Sequence, residues 1–100
     1  MGQEDQSYYV YILECADGTY YTGITNHLKR RIKLHQQGKA ARYTRGRLPV
    51  TLKYVEKVKN KSDALKREYQ IKQMERKEKE QLIQTFVHEG MKYIVDSKEF

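Results

Sequence analysis

The segment NKSDALKREYQIKQM, residues 60–74, puts a carboxylate where an amphipathic helix should be apolar. Ala64, Leu65, Ile71 and Met74 recur at helical spacing. Glu68 follows Ala64 by four residues and Leu65 by three, and it precedes Ile71 by three. Positions three and four apart share a helix face, so Glu68 falls in the middle of the stripe expected to be buried. An unpaired carboxylate there is costly unless a cation or hydrogen bonds compensate it. Two chemistries meet that demand. One is a structural network with tyrosine hydroxyls or an arginine. The other is a hard cation such as Mg²⁺, held by one carboxylate, waters and a substrate phosphate.

Arg31 and His35 pose a related question on an earlier helix, expected from about Asn26 to Gln37, capped by Thr25 or Asn26 and stopped at Gly38. Leu28 and Ile32 mark its buried stripe, and Arg31 and His35 fall on or beside that stripe. Arg31 is either one more solvated cation of LKRRIK or a fixed fork of donors aimed at a phosphate and its developing charge. His35 is either a satisfied boundary histidine or a member of the same site. The segment GKAARYTRGRLP (38–49) shows no period and reads as a basic loop. There Lys39, Arg42, Arg45 and Arg47, with Arg30 from the helix, could track a phosphate backbone while Tyr43 stacks on a base.

The elements that must position these groups begin with SYYVYILECADGTYYTGIT, residues 7–25. Residues 8–15 and 19–25 read as strands, and Ala16-Asp17-Gly18 suits a three-residue hairpin loop with Gly18 left-handed. That register pairs Tyr11 with Gly23 and Leu13 with Tyr21, placing Tyr11 and Tyr21 on one face. Gly23, lacking a side chain, is expected to leave room for a phosphate. A third strand is expected over about 50–58. The second helix, 60–74, is expected to be capped by Ser62. Residues 75–80 read as a charged junction, and a third helix uses Leu82, Ile83, Phe86 and Val87.

One hundred residues suffice for one compact domain, and 20 basic against 13 acidic residues leave a net charge of +7. Such an excess favours a polyanionic partner, nucleic acid being the commonest. No apolar run approaches the roughly 18–20 residues of a membrane span, so no membrane partner is expected. The single Cys15 fits a reducing, cytoplasmic setting. Histidine and cysteine spacing gives no zinc site, and the scattered glycines form no phosphate-cradling loop.

Taken in order, YVY at 9–11, YTG at 21–23, Arg31 and Glu68 resemble the GIY-YIG nuclease family, and most closely its small stand-alone bacterial members. The resemblance covers residues 8–87. It implies that Tyr11 or Tyr21 is the general base for a hydrolytic water. Gly23 ends the second motif, and Arg31 stabilises the phosphoryl transition state. His35 matches a His/Tyr position of the family, Tyr43 falls near another, and Glu68 holds a single divalent ion. Two departures stand out. The first motif is Tyr-Val-Tyr, and Ile24 stands where several nucleases have a lysine.

The expectation is therefore an α/β (α+β) domain over residues 8–89, with a small three-stranded, mainly antiparallel sheet flanked by about three helices. Residues 1–7 are expected to be disordered and 90–100 to form a loose tail. The expected activity is hydrolysis of DNA by a monomer using Mg²⁺ or Mn²⁺, structure-selective and linked to repair or recombination, with a protein partner supplying specificity. The rival expectation is a binding module of the same fold with little or no catalysis.

Overall fold

The computed structural model describes residues 7–89; the expectations for residues 1–6 and 90–100 lie outside that range. Strands β1 (Tyr8–Glu14) and β2 (Tyr20–Thr25) form the expected hairpin. Its loop closes with Cys15 N–H donating to the Thr19 carbonyl (2.8 Å), and Gly18 takes φ +86°, which favours glycine. Asp17 fastens the turn by accepting from the Thr19 N–H (3.1 Å) and hydroxyl (2.6 Å). The register is the expected one, Tyr11 opposite Gly23 and Leu13 opposite Tyr21. Strand β3 (Thr51–Val58) pairs with the other edge of β1, giving an antiparallel sheet of order β2-β1-β3. Ile12 faces Tyr54 while Leu13 faces Leu52, so Lys53 is the extra residue of a bulge.

Alternation along β1 sends its side chains to two cores. Val10 and Ile12 join Tyr54 beneath Ala64, Ile71 and Ile83. Tyr11 and Leu13 join Cys15, Ile32 and Val50 on the opposite face. The first layer comes from helices α3 (Lys61–Gln73) and α4 (Arg76–Glu89), the second from α1 (Leu28–Gln36) and the short α2 (Arg42–Arg45). A Gln36 side chain ties α1 to the entrance of β3, donating to the Val50 carbonyl (2.5 Å) and accepting its N–H (3.2 Å).

Several boundaries differ from expectation. Helix α1 starts at Leu28 because the Thr25 hydroxyl accepts the His27 N–H (3.0 Å) in a turn that delays the helix. It ends as expected at Gly38, where φ is +74°. The Gly38 N–H bonds the His35 carbonyl and the Lys39 N–H bonds that of Leu34, a Schellman closure. The basic segment after it is not wholly irregular, since Arg42–Arg45 coil into one helical turn. Helix α3 is capped by Asn60, which accepts the Asp63 N–H (2.8 Å), not by Ser62, which lies inside the helix. Leu65 is 47% exposed. The helix is rolled so that Arg67, paired with Glu56 (3.0 Å), flanks Ala64 in its place. The charged junction breaks only at Met74–Glu75, and residues 76–80 open α4. Leu82, Ile83 and Phe86 pack as expected, while the Val87 side chain lies outside the described residues. Among the described residues, no helix is long and apolar enough to cross a membrane.

Candidate active site

Tyr11 stands at the middle of the central strand and is fully buried. Its hydroxyl lies 2.8 Å from Nε2 of His35, one helical turn beyond Arg31 on α1. His35 is also fully buried, and its Nδ1 lies 2.9 Å from Oγ1 of Thr44 on α2. The Thr44 hydroxyl in turn donates to the Ala41 carbonyl (3.2 Å). Strand, helix and short helix thus each contribute one member of a polar chain running through the second core.

Burial governs how these groups titrate. It pushes the Tyr11 phenol up to about 12, with Tyr21 and Glu68 adding to the rise and the Arg31 guanidinium opposing it. Burial also pulls His35 down to about 4, aided by the positive charge of Arg31. As a general base, then, Tyr11 gains no lowered pKa from nearby cations: desolvation outweighs the one that faces it. At neutral pH both partners are uncharged.

Gly23 has a different part from the one expected. A Cβ there would stand 2.6 Å from the Tyr11 hydroxyl oxygen and 3.0 Å from a Tyr21 ring carbon. The room left by the missing side chain is filled by the Tyr11 phenol, not kept for a phosphate. Tyr21 packs edge-on to His35 (5.2 Å between ring centres) and stacks on Tyr43 (6.0 Å, planes 27° apart). Tyr43, 38% exposed, is covered in turn by the Arg47 guanidinium at 4.1 Å. Arg47 is further fixed by Asp17 (3.0 Å) and the Tyr43 carbonyl (2.7 Å). It pins the 38–48 segment to the hairpin, with its Nε and Nη1 engaged within the fold. Lys39, Arg42 and Arg45 are exposed on that segment.

Arg31 is half-buried. Its Nη2 makes a 3.4 Å bond to the Ala40 carbonyl, and its buried Nε has no hydrogen-bond partner among the described residues. With Thr25, Asn26, His27, Arg30 and Leu34 it lines an open hollow of about 200 Å³. A buried guanidinium nitrogen without an acceptor is an unmet demand that an anionic oxygen satisfies.

Glu68 lies on α3 with its side chain 19% exposed, neither open to bulk water nor sealed, and it pairs with Lys72 one turn later (3.3 Å). Its charge is felt at the Tyr11 hydroxyl. Among the described residues, no three His, Cys, Asp or Glu side chains gather as a metal centre. A protein-built cage is not what these residues offer. One partly exposed carboxylate fits the other kind of hard-cation site, which waters and phosphate oxygens complete.

The structure thus brings Tyr11, Tyr21, Gly23, Arg31, His35 and Tyr43 together, with Glu68 acting electrostatically on Tyr11. Thr44, Lys72 and the hollow residues Thr25, Asn26 and His27 had no individual pattern in the sequence. Thr44 stands in the basic segment 38–49, where nothing singles it out.

Comparison with known proteins bears on the family and the fold. A family model described as the GIY-YIG catalytic domain matches residues 7–81. A UPF0213 protein of Bacillus cereus is 46% identical over 95 residues, covering 95% of each chain. One from Halobacterium salinarum is 53% identical over 75 residues, covering 75% of this chain and 97% of that protein. The solution NMR structure of a UPF0213 protein from Bacillus halodurans superposes with a TM-score of 0.53 at 48% identity, covering 79% of this chain and 84% of that one. A protein from E. faecalis gives 0.58 at 40% identity, covering 89% and 94%. A GIY-YIG catalytic domain implies nuclease-type activity and nucleic-acid binding, and the UPF0213 relatives match along nearly their whole length. The chain belongs to the GIY-YIG family, alongside the small UPF0213 proteins.

Proposed function

We propose that the protein hydrolyses phosphodiester bonds in DNA with the help of one divalent cation. The observation that carries this reading is the Tyr11 hydroxyl. It is hydrogen-bonded to His35, acted on by Arg31 and Glu68, and flanked by Tyr21. Glu68 would hold Mg²⁺ or Mn²⁺, which when bound supplies positive charge to the scissile phosphate and its leaving oxygen. Arg31, with its Nε free to donate, binds the phosphate and neutralises the extra charge of the transition state. Tyr11 rather than Tyr21 is assigned as the base, because its hydroxyl has a buried acceptor ready for its own proton. Tyr21 and Tyr43 form the aromatic wall against which the pair is held.

A domain of this size, with a radius of gyration of 13.4 Å, has little surface for reading base sequence. Substrate choice is left to nucleic-acid shape or to a partner protein. Branched and nicked DNA, the substrates of repair and recombination, are therefore the first to test. Cleavage in Mn²⁺ that is lost in Glu68→Ala and Arg31→Ala supports the reading. No cleavage of branched, nicked or single-stranded DNA by the wild type removes it.

A second reading, a nucleic-acid-binding module of the same fold, is favoured by one observation. With the phenol raised to about 12 and the imidazole lowered to about 4, the resting pair resists ionisation. Ile24, packed against the first core, supplies no cation to change that. Metal-independent DNA binding that weakens steeply with salt, without turnover, would select it.

A further inference from the structure

The geometry points to Thr44 as a positioning residue that fixes His35 in its Nδ1–H tautomer, leaving Nε2 as the acceptor of the Tyr11 phenol proton. This deepens the nuclease reading and names the route of the proton at that same site.

The inference rests on counting donors and acceptors along a buried chain. The Thr44 hydroxyl donates to the Ala41 carbonyl (3.2 Å), so its oxygen is left to accept from His35 Nδ1 at 2.9 Å. At the other end, the Tyr11 hydroxyl meets two neighbours. Its hydrogen bond among the described residues is to His35 Nε2 at 2.8 Å, and the Arg31 guanidinium that also acts on it carries only donors. If Nε2 carried the proton, the Tyr11 oxygen would face two donors and its own hydrogen would have no acceptor. With the proton on Nδ1, every polar hydrogen from Tyr11 to Ala41 has a partner. In the resting fold Thr44, His35 and Tyr11 all have zero exposed surface, so bulk water supplies no missing partner, and the hydrolytic water must enter with the substrate. Gly23 lets the phenol take this position, since the space over its Cα is where that hydroxyl sits.

The consequence is directional. When Tyr11 takes a proton from a water, it passes its own to His35 Nε2, and the resulting imidazolium still donates from Nδ1 to Thr44. One proton moves from water to His35 in balance. The hydroxide attacks phosphorus, the bond from phosphorus to the leaving sugar oxygen breaks with its electron pair on that oxygen, and the leaving oxygen takes a proton from solvent, while the phenol is neutral before and after. Free tyrosinate, which burial disfavours, is not required; the imidazolium is opposed by the same burial and by Arg31, and the negative charge of the incoming phosphate offsets that.

Long-range ¹H–¹⁵N NMR of the histidine ring, on the full chain without metal or DNA, reads the tautomer directly. The wild type is expected to show His35 as Nδ1–H at pH 7. Thr44→Val removes the acceptor and shifts the ring to Nε2–H, whereas Thr44→Ser keeps Nδ1–H. With DNA and Mn²⁺, Thr44→Val lowers kcat about a hundredfold with KM little changed, and Thr44→Ser restores most of it. An Nε2–H ring in the wild type, or Nδ1–H retained in Thr44→Val, overturns the inference. If Thr44→Val does not fold, the wild-type and Thr44→Ser spectra still decide. Absence of cleavage by the wild type with the expected tautomer would remove the nuclease reading and leave the tautomer assignment standing.

Discussion

A single missing side chain sets the tightest constraint in the site. Gly23→Ala would drive a methyl group to 2.6 Å from the Tyr11 hydroxyl, forcing the phenol off His35 inside a packed core. The expected cost is about 1–3 kcal/mol in urea denaturation, together with loss of cleavage. His35 carries a second prediction. Its folded pKa, about 4, lies below the ordinary 6.5, so between those values the unfolded chain binds a proton that the folded chain refuses. Stability therefore falls as pH drops through that window, by about 3 kcal/mol in all, and is fully present above it. Comparing urea denaturation at pH 7 and pH 4.5 for wild type and His35→Gln isolates this contribution, which the variant should lack. At this scale the sequence showed Glu68 by spacing alone, because a charge on an apolar stripe breaks a visible pattern. Thr44 was invisible, because a threonine in a segment without period means nothing until the fold brings it to His35.

Among the elements, the hairpin was the most legible. The three-residue turn fixes the register, and the register puts Tyr11 and Tyr21 on one face. Helix ends were less so, because several polar residues compete for each cap and only backbone geometry selects the winner. Asn60, extended at φ −159° and ψ 175°, caps α3, so Asn60→Ala should cost about 1 kcal/mol. Ser62→Ala should change stability by less than about 0.5 kcal/mol. Chemical denaturation of the two variants side by side checks this. Equal costs would mean that the helix begins later than Lys61. The roll of α3 was hidden for a related reason. The inward flank carries Ala64 and Ile71, and the ion pair that accompanies it joins Arg67 to Glu56 of a different element. Glu68 keeps its partly exposed place at the edge of that buried face.

For the molecule as a whole, a charge of +7 on one hundred residues predicts binding dominated by phosphate contacts. Arg42 and Arg45 are exposed and Arg47 is not free, which separates their effects. Replacing Arg42 or Arg45 with alanine should reduce the slope of log K against log salt by about 1 without affecting folding. Arg47→Ala should instead loosen the 38–48 segment and lower thermal stability. Salt titrations and melting curves distinguish the two. The family and its layered architecture were legible from an ordered set of residues spread from Tyr11 to Glu68. The buried setting of the phenol was not, since desolvation depends on what the other elements bring to cover it. The account turns on one measurement: cleavage of nicked and branched DNA in Mn²⁺ by wild type, Glu68→Ala and Arg31→Ala, each shown to be folded. It predicts products with the wild type and a loss of at least about a hundredfold in both variants. Wild-type cleavage that persists undiminished in Glu68→Ala would contradict it.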